Sequence, residues 1–273
     1  MKRFLAGMLA VAAAGVGVAN AGQVYALDLR ATPNRLLSFP SNAPANNMVA
    51  PVTPDSFAMD FNAAGTTLYA ITPGAAPFNV GTLNTTNGVY TAGPVVNLPA
   101  GESVTGLKYD PQTSLYWLST NATATGNRLW NLDVGTGNAT LVSSITGLAA
   151  GAIVIDIAID LAGNMYGHEI GGDNLISINK NTGLAAIIGP TGHLANFAQG
   201  MDFDYDTNEL YATVYTGGGT GKYVRFNLAT GQGVVIGDTT PWNSEMEMAI
   251  NAPVPEPMTL ALLGLGAMLL RRR

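Results

Sequence analysis

The sequence predicts an all-β fold, a β-propeller most simply built from five four-stranded blades and closed by pairing of its N- and C-terminal strands. Three observations lead to this fold. A phrase typical of a β-hairpin recurs four times, a second phrase ending in glycine follows each copy, and the two ends of the domain supply the pieces of a fifth blade. Four strands every 45 to 50 residues is the spacing of a propeller.

The first phrase is an apolar residue, any residue, a large apolar residue and then Asp or Asn, followed by a short turn, an apolar residue and Tyr. Its copies are Met59–Asn62 with Leu68-Tyr69, Leu107–Asp110 with Leu115-Tyr116, Ile157–Asp160 with Met165-Tyr166, and Met201–Asp204 with Leu210-Tyr211. Alternation of apolar and other residues is the period of a strand. Each copy therefore predicts the first two strands of a blade, joined by a tight turn.

The second phrase places Asn or Asp four residues before Gly. The pairs are Asn84 and Gly88, Asp133 and Gly137, Asn179 and Gly183, and Asn227 and Gly231. An Asx side chain and a glycine with positive φ are typical of a turn. We therefore expect a third strand before each pair and a fourth strand after it, such as the one around Val234–Ile236.

The ends of the domain account for the remaining blade. Gln23–Leu27 and Arg35–Phe39 resemble the second and third strands of a repeat, but no first strand precedes them. Glu245–Ile250 has the pattern of that missing strand, and Asn251 aligns with Asn62. Pairing of the two ends would close the ring over residues 22–252 and leave no open array with exposed edges. A different number of blades, or an open solenoid, is the alternative.

Residues 1–21 are predicted to be a signal peptide. Lys2 and Arg3 precede an apolar segment over 4–18, and Ala19 and Ala21 are the small residues that a signal peptidase reads. Cleavage is expected after Ala21, and the chain is expected to be exported. A buried or membrane-spanning N-terminal helix is the alternative, but the segment is short and alanine-rich for a span.

Residues 253–273 form a second predicted signal. Its parts are Val254, Pro255, Glu256 and Pro257, an uncharged segment over 258–270, and Arg271, Arg272 and Arg273. The 13 uncharged residues would make a short transmembrane helix of about 20 Å, against a hydrocarbon core of about 30 Å. The arginines would stay on the cytoplasmic side, leaving the rest of the chain outside.

This order of motif, short apolar helix and arginines resembles the PEP-CTERM sorting signal of bacterial surface proteins. The resemblance implies an exosortase that cuts near Pro-Glu-Pro, transient anchoring in the inner membrane facing the periplasm, and a final place at the cell surface or in an extracellular matrix with exopolysaccharide. An ordinary tail anchor is the alternative. The repeats also resemble a family of secreted bacterial propeller-like domains of unknown function, which implies no activity.

Charge and composition exclude several functions. Without Lys2, Arg3 and the three terminal arginines, seven basic residues remain against eighteen acidic ones, a net charge of −11. Such a surface disfavours nucleic acid and anionic membranes as partners. The absence of cysteine excludes disulfides and thiol chemistry. With only His168 and His193, a three-histidine metal site cannot be built. We expect His168 and Glu169, at the end of a predicted second strand, to face a loop, with a catalytic pair as the alternative.

The carboxylates are the remaining candidates for chemistry. Asp202, Asp204 and Asp206 form the densest cluster and are weak candidates for calcium, because the glycine and glutamate of an EF-hand are missing. Asp60, Asp156, Asp202 and Glu247 lie on the predicted innermost strands. Paired there, they could serve glycoside hydrolysis. Asp60 and Asp202 precede the large apolar residue of the phrase by one position, whereas Asp156 and Glu247 precede the equivalent residue by three. Some of these carboxylates could therefore face the channel and others a neighbouring blade. Trp117, Trp130 and Trp242 are expected to pack between blades.

These observations favour an exported, non-enzymatic propeller that binds extracellular material, with exopolysaccharide as the first candidate. Signal peptidase and exosortase are its expected processing partners, no nucleic acid is expected, and no cofactor is predicted, with calcium kept as a second hypothesis. The alternative is a carbohydrate-active enzyme that uses the central carboxylates.

Overall fold

The computed structural model describes residues 21–252 except 46, 53–54, 73–75, 197–198 and 239–244. The described part of the chain has strands and turns and holds no helix able to cross a membrane. Residues 1–20 of the predicted signal peptide, the predicted tail signal with its helix over 258–270, and Trp242 lie outside the described residues.

Five antiparallel sheets of four strands form the five-bladed β-propeller that the sequence predicts. Blade 1 contains β1 (Gln23–Asp28), β2 (Asn34–Pro40), β3 (Met48–Val52) and β20 (Met246–Asn251). Blade 2 contains β4 (Met59–Phe61), β5 (Leu68–Thr72), β6 (Asn79–Leu83) and β7 (Tyr90–Thr91). Blade 3 contains β8 (Ser103–Asp110), β9 (Leu115–Ala122), β10 (Gly126–Leu132) and β11 (Ala139–Ser144). Blade 4 contains β12 (Val154–Ile159), β13 (Met165–Glu169), β14 (Asn174–Ile178) and β15 (Ala185–Pro190). Blade 5 contains β16 (Met201–Asp204), β17 (Glu209–Gly217), β18 (Thr220–Phe226) and β19 (Gly233–Asp238).

The ring closes through its two ends, as predicted. Strand β20 pairs antiparallel with β1, placing Asn251 opposite Gln23 and Met246 opposite Asp28. The closing strand begins one residue later than the sequence suggested. Strands β4, β8, β12, β16 and β20 are the first strands of their sheets and contact one another around the axis.

The glycine of the second phrase has two roles. In blade 3 the backbone N–H of Gly137 donates to the carbonyl of Asp133 at 2.8 Å, and the Asp133 carboxylate accepts the N–H of Gly135. Gly137 has a φ of 77°, which favours glycine. A Cβ there would lie 2.1 Å from the carbonyl oxygen of Val95, in the connection that follows blade 2. The same residue thus makes the turn and permits the close approach of two blades.

The alignment of one repeat was wrong by a residue. Tyr109 pairs with Tyr116, as Phe61 pairs with Leu68, so Tyr116 takes the structural place of Leu68 rather than of Tyr69. Leu115, which the phrase placed in the core, is 43% exposed. The phrase misled because a tyrosine is tolerated at either of two neighbouring positions.

Apolar side chains from adjacent blades form the core. Leu27 and Leu36 of blade 1 pack with Met59 and Phe61 of blade 2, and similar clusters fill the other junctions. Burying one such side chain contributes about 1.5–3 kcal/mol. Trp117 and Trp130 lie in two of these clusters and are 4% exposed. Their predicted packing role is confirmed.

Candidate functional site

The innermost strands bring five ionisable side chains together at the axis. The cluster contains the predicted residues Asp60, Asp156, Asp202 and Glu247, and also Lys108. All five are buried, with exposures from 0% to 6%. We call these five residues the axial cluster.

Register explains why the four carboxyl groups converge. Asp60 and Asp202 precede the large apolar residue of their strand by one position, and Asp156 and Glu247 precede it by three. Positions two residues apart on a strand lie on the same face. Both sets therefore point to the axis, where all four interact electrostatically with Lys108. The register difference does not send any of them to a neighbouring blade.

Sequence reasoning missed Lys108. It occupies in β8 the position that Asp60 and Asp202 occupy in β4 and β16. Its ammonium donates to the carbonyl oxygens of Met59 at 3.1 Å and Met248 at 3.3 Å. A basic residue at a position that is acidic in two other repeats was the signal that could have found it.

Three of the carboxylates join neighbouring blades. Asp60 accepts the backbone N–H of Phe61 on its own strand at 2.7 Å and that of Tyr109 on β8 at 2.6 Å. The same pattern recurs twice: Asp156 accepts from Ile157 and Met201, and Asp202 accepts from Phe203 and Ile250. In each case one carboxyl group satisfies a backbone N–H on its own strand and another on the next first strand. These carboxylates therefore hold the first strands of the blades in register.

Close packing at the axis determines the surroundings of Glu247, in the axial cluster, and of Gly106, next to it. Glu247 has both carboxylate oxygens buried without a well-formed hydrogen bond, although the nearby Met59 N–H partly offsets its desolvation. Gly106 is required beside the cluster, because a Cβ there would lie 2.1 Å from Oδ1 of Asp156. The axis is thus filled by the axial cluster and the backbone around it.

Burial controls the protonation of the axial cluster. It raises the pKa of Asp60 and Glu247 well above their usual values, raises that of Asp202, and raises that of Asp156 to about 7. Burial alone would lower the pKa of Lys108, but the four carboxyl groups outweigh it and the pKa is raised. The raised pKa values mean that the carboxyl groups keep their protons to higher pH than free carboxyls do, while Lys108 keeps its charge.

Asp204 and Asp206 do not join the axial cluster. The Asp204 carboxylate accepts the N–H of Asp206 at 2.9 Å, which places its side chain in the β16–β17 turn. Its second oxygen accepts the N–H of Gly22 and the hydroxyl of Ser41. Within the described ranges, no three His, Asp or Glu side chains are arranged to hold a metal ion.

The expectation was wrong for His168 but is met by Glu169. Both lie on β13 and are buried, but only Glu169 faces the turn that follows the strand. The His168 ring packs edge-on against Phe226 at 5.5 Å between centroids, and burial lowers its pKa to about 4. Glu169 accepts the N–H of Gly172 in the following turn at 2.8 Å. These contacts are structural ones.

Three equivalent surface clefts, which we call the blade clefts, open on blades 2, 3 and 5, with volumes of about 470, 460 and 280 Å³. The second strand contributes Leu68, Tyr116 or Leu210. The third strand contributes Thr82, Asn131 or Arg225, and the fourth Thr91, Thr140 or Val234. The cleft of blade 2 is the richest in hydroxyl groups. No pattern along the chain indicates the clefts, because they form only between strands.

Together the sheets and the axis define a class: the protein is a five-bladed β-propeller whose axis is filled by four carboxyl groups around one lysine. No family model matches the chain, and no curated protein matches it.

Among solved structures it is similar to TolB from Acinetobacter baumannii, with a TM-score of 0.48, 11% identity, and coverage of 81% of this chain and 54% of that one. It is also similar to the PQQ-bound aldose sugar dehydrogenase from Streptomyces coelicolor, with a TM-score of 0.45, 13% identity, and coverage of 65% and 61%. It is similar as well to a protein of unknown function from Bacteroides caccae, with a TM-score of 0.44, 10% identity, and coverage of 78% of this chain and 72% of that one. The chain thus spans just over half of the TolB structure and about three fifths of the dehydrogenase.

Proposed function

We propose that this protein is an exported, non-enzymatic propeller of the cell surface or extracellular matrix that binds polysaccharide through its blade clefts. The observation that carries the proposal is the burial of the axial cluster. Its carboxylates are at most 6% exposed, and three of them accept two backbone N–H bonds each. Groups used in this way support the ring, and the polar clefts remain as open surface.

The chemistry of the clefts favours a neutral polysaccharide. Thr82 and Thr91 face each other on paired strands in the cleft of blade 2. Hydroxyl groups donate and accept hydrogen bonds, which matches the hydroxyl groups of sugars. The net charge of −11 without the two terminal signals would repel an acidic polymer. Three equivalent clefts would let one long chain bind at several points, so that weak single contacts add up.

Export and sorting belong to the same proposal. Signal peptidase would act after Ala21, and exosortase would act near Val254–Pro257, upstream of Arg271, Arg272 and Arg273. The test is intact-mass analysis of the protein from inner-membrane, surface and medium fractions of its native host. A mass ending near Pro257 in the surface or medium fraction supports the proposal. An uncut chain ending at Arg273 in the inner membrane contradicts it.

Binding is tested with the protein recovered from the host surface. Isothermal titration would use the host's purified extracellular polysaccharide, with a neutral dextran and an acidic alginate as comparison polymers. The double variant Thr82→Val and Thr91→Val removes two hydroxyl groups with little change of shape and is expected to weaken binding about fivefold, or roughly 1 kcal/mol. Ser177→Ala, at the equivalent position of blade 4, is the matched control. Equal affinity of the double variant and the control would refute the role of the cleft.

A carbohydrate-active enzyme is the second candidate, because perturbed carboxyl groups that converge are typical of catalytic sites. Asp156, with a pKa of about 7, has the property of a general acid. The test is release of reducing ends from the same polysaccharides. Turnover that disappears in the Asp60→Asn and Asp202→Asn double variant, while the fold is retained, would replace the binding proposal.

A further inference from the structure

Gly22 is held tightly between blades 1 and 5. Its carbonyl accepts the N–H of Ser41 at 2.8 Å, and its N–H donates to Oδ2 of Asp204 at 2.9 Å. A Cβ at this position would lie 2.7 Å from Cγ2 of Ile250. The first residue expected after signal cleavage is therefore buried and fixed on several sides.

The partner of that nitrogen is a fully buried carboxylate. Asp204 is 0% exposed, and the hydroxyl of Ser41 donates to the same Oδ2 at 2.5 Å. Over the described ranges, no lysine or arginine side chain contacts Asp204. In the uncut chain the carboxylate receives hydrogen bonds from neutral groups alone. Burying a carboxylate without a cation is costly.

The equivalent carboxylate in blade 3 has the cation that Asp204 lacks. Asp110 also accepts a backbone N–H of its own turn, from Gln112 at 2.9 Å. Its second oxygen pairs with the ammonium of Lys180, which comes from the following blade. In blade 5 the second oxygen also faces the following blade around the ring. There Ser41 takes the place of Lys180, and the Gly22 nitrogen donates to the same oxygen beside it.

We propose that cleavage between Ala21 and Gly22 turns the Gly22 nitrogen into an α-ammonium that forms a buried ion pair with Asp204. The inference rests on the proposed export of the chain. In the hydrolysis, water gives its hydroxyl to the Ala21 carbonyl carbon and a proton to the Gly22 nitrogen. That nitrogen then takes a further proton from solvent and becomes the cation. The N-terminal amine is thus a binding group made by processing.

The position of the pair gives it a structural consequence. Gly22 precedes β1, which pairs with the closing strand β20, and Asp204 ends β16 in the neighbouring blade. The ion pair therefore joins the two blades at which the ring is closed. A buried charge whose partner is missing is strongly destabilising, whereas an exposed pair contributes little. Signal cleavage would in this way stabilise the closed ring after export.

The test uses the processed protein from the host, with its N-terminus defined by mass analysis. The Gly22 amine is acylated with a water-soluble succinimidyl ester, and its rate is compared in native buffer and in denaturing urea. We expect acylation to be slower in the native protein by roughly tenfold or more, because reaction needs a local opening. In Asp204→Asn the native rate should approach the rate in urea.

Asp110→Asn is the matched control, because it removes the equivalent carboxylate. It should accelerate acylation of Lys180 and leave the Gly22 amine protected. A native rate equal to that in urea would overturn the proposal, as would an N-terminus other than Gly22. Even if Asp204→Asn does not fold, the proposal is still tested by the unaltered protein, through the acylation rate of its Gly22 amine in native buffer relative to that in urea. Loss of polysaccharide binding with a protected amine would refute the proposed ligand and leave this inference standing.

Discussion

Lys108 in blade 3 occupies the position that Asp202 occupies in blade 5, and their opposite charges interact at the axis of the propeller. An acidic position in two repeats has become basic in a third. One ammonium thereby interacts electrostatically with four carboxyl groups. It also donates hydrogen bonds to the carbonyls of Met59 and Met248 on two further strands. The repeat supplies a shared backbone, and departures from the repeat create the site.

Replacement of the axial lysine should destabilise the fold. Lys108→Met keeps the aliphatic stem and removes the charge, so the carboxyl groups lose their counter-ion. We expect the free energy of unfolding to fall by about 3–5 kcal/mol, as when one partner of a buried pair is removed. Urea denaturation followed by circular dichroism measures the change. Arg225→Met, which breaks a solvent-exposed ion pair with Glu209 on blade 5, should cost far less, and a similar loss in both variants would contradict this role.

Stability should decrease as pH rises above about 6.5, a range above the usual pKa of His and of free carboxyls. Asp156 has a folded pKa of about 7, and those of Asp60 and Glu247 are also raised. In this range the folded protein holds protons that the unfolded chain has released, so a rise in pH favours unfolding. The contribution is complete below about pH 4 and is lost as pH passes through the folded pKa values. Melting temperatures across this range should decline, with a shallower slope in Asp156→Asn. A flat or rising profile would rule the interpretation out.

His168 should give the opposite dependence in acid. Its folded pKa of about 4 is below the usual value of about 6.5, so the unfolded chain binds more protons between the two values. The stability that the neutral ring contributes is present above about pH 6.5 and is lost as pH falls toward 4. The unaltered protein should therefore lose up to about 3 kcal/mol relative to His168→Gln over this range. A difference in unfolding free energy that does not vary with pH would show that His168 does not titrate as proposed.

Two glycines in one turn should respond differently to the same change. Gly137 has a positive φ and lies against the Val95 carbonyl, whereas the nearest atom to a Cβ at Gly135 is an Asp133 carboxylate oxygen at 3.3 Å. Gly137→Ala should cost about 2–4 kcal/mol through strain and a clash with backbone. Gly135→Ala, the control, should cost less than about 1 kcal/mol. Equal denaturation midpoints would show that the blades can move apart without cost.

Much of the fold could be predicted because its determinants are local and repeated. The turn from Asn84 to Gly88 and the hairpin from Met59 to Tyr69 each lie within about ten residues, and each recurs. The closing strand could be predicted because the N-terminal blade lacked a first strand and Glu245–Ile250 had the pattern of one. The error at Tyr116 arose where the pattern allowed two alignments that differ by one residue. Only cross-strand pairing with Tyr109 distinguishes them.

The candidate site was less predictable because it depends on contacts between distant repeats. Asp60, Asp156, Asp202 and Glu247 were named from their strands, but their meeting at Lys108 joins residues from all five blades. The contact of Gly22 with Asp204 joins residues 182 positions apart. Neither relation has a pattern along the chain.

By itself, the sequence determined the class of fold and favoured five blades closed by the two chain ends, because alternation, turn residues and spacing are properties of short segments. The structure decided the number of blades. The sequence also supplied the predictions of export and sorting, which lie in the chain ends. Only the tertiary structure shows that the carboxyl groups are buried around a lysine, that the blade clefts exist, and that Asp204 accepts a hydrogen bond from the Gly22 nitrogen. Burial and charge pairing arise only when the blades meet, and they set the chemistry of the protein.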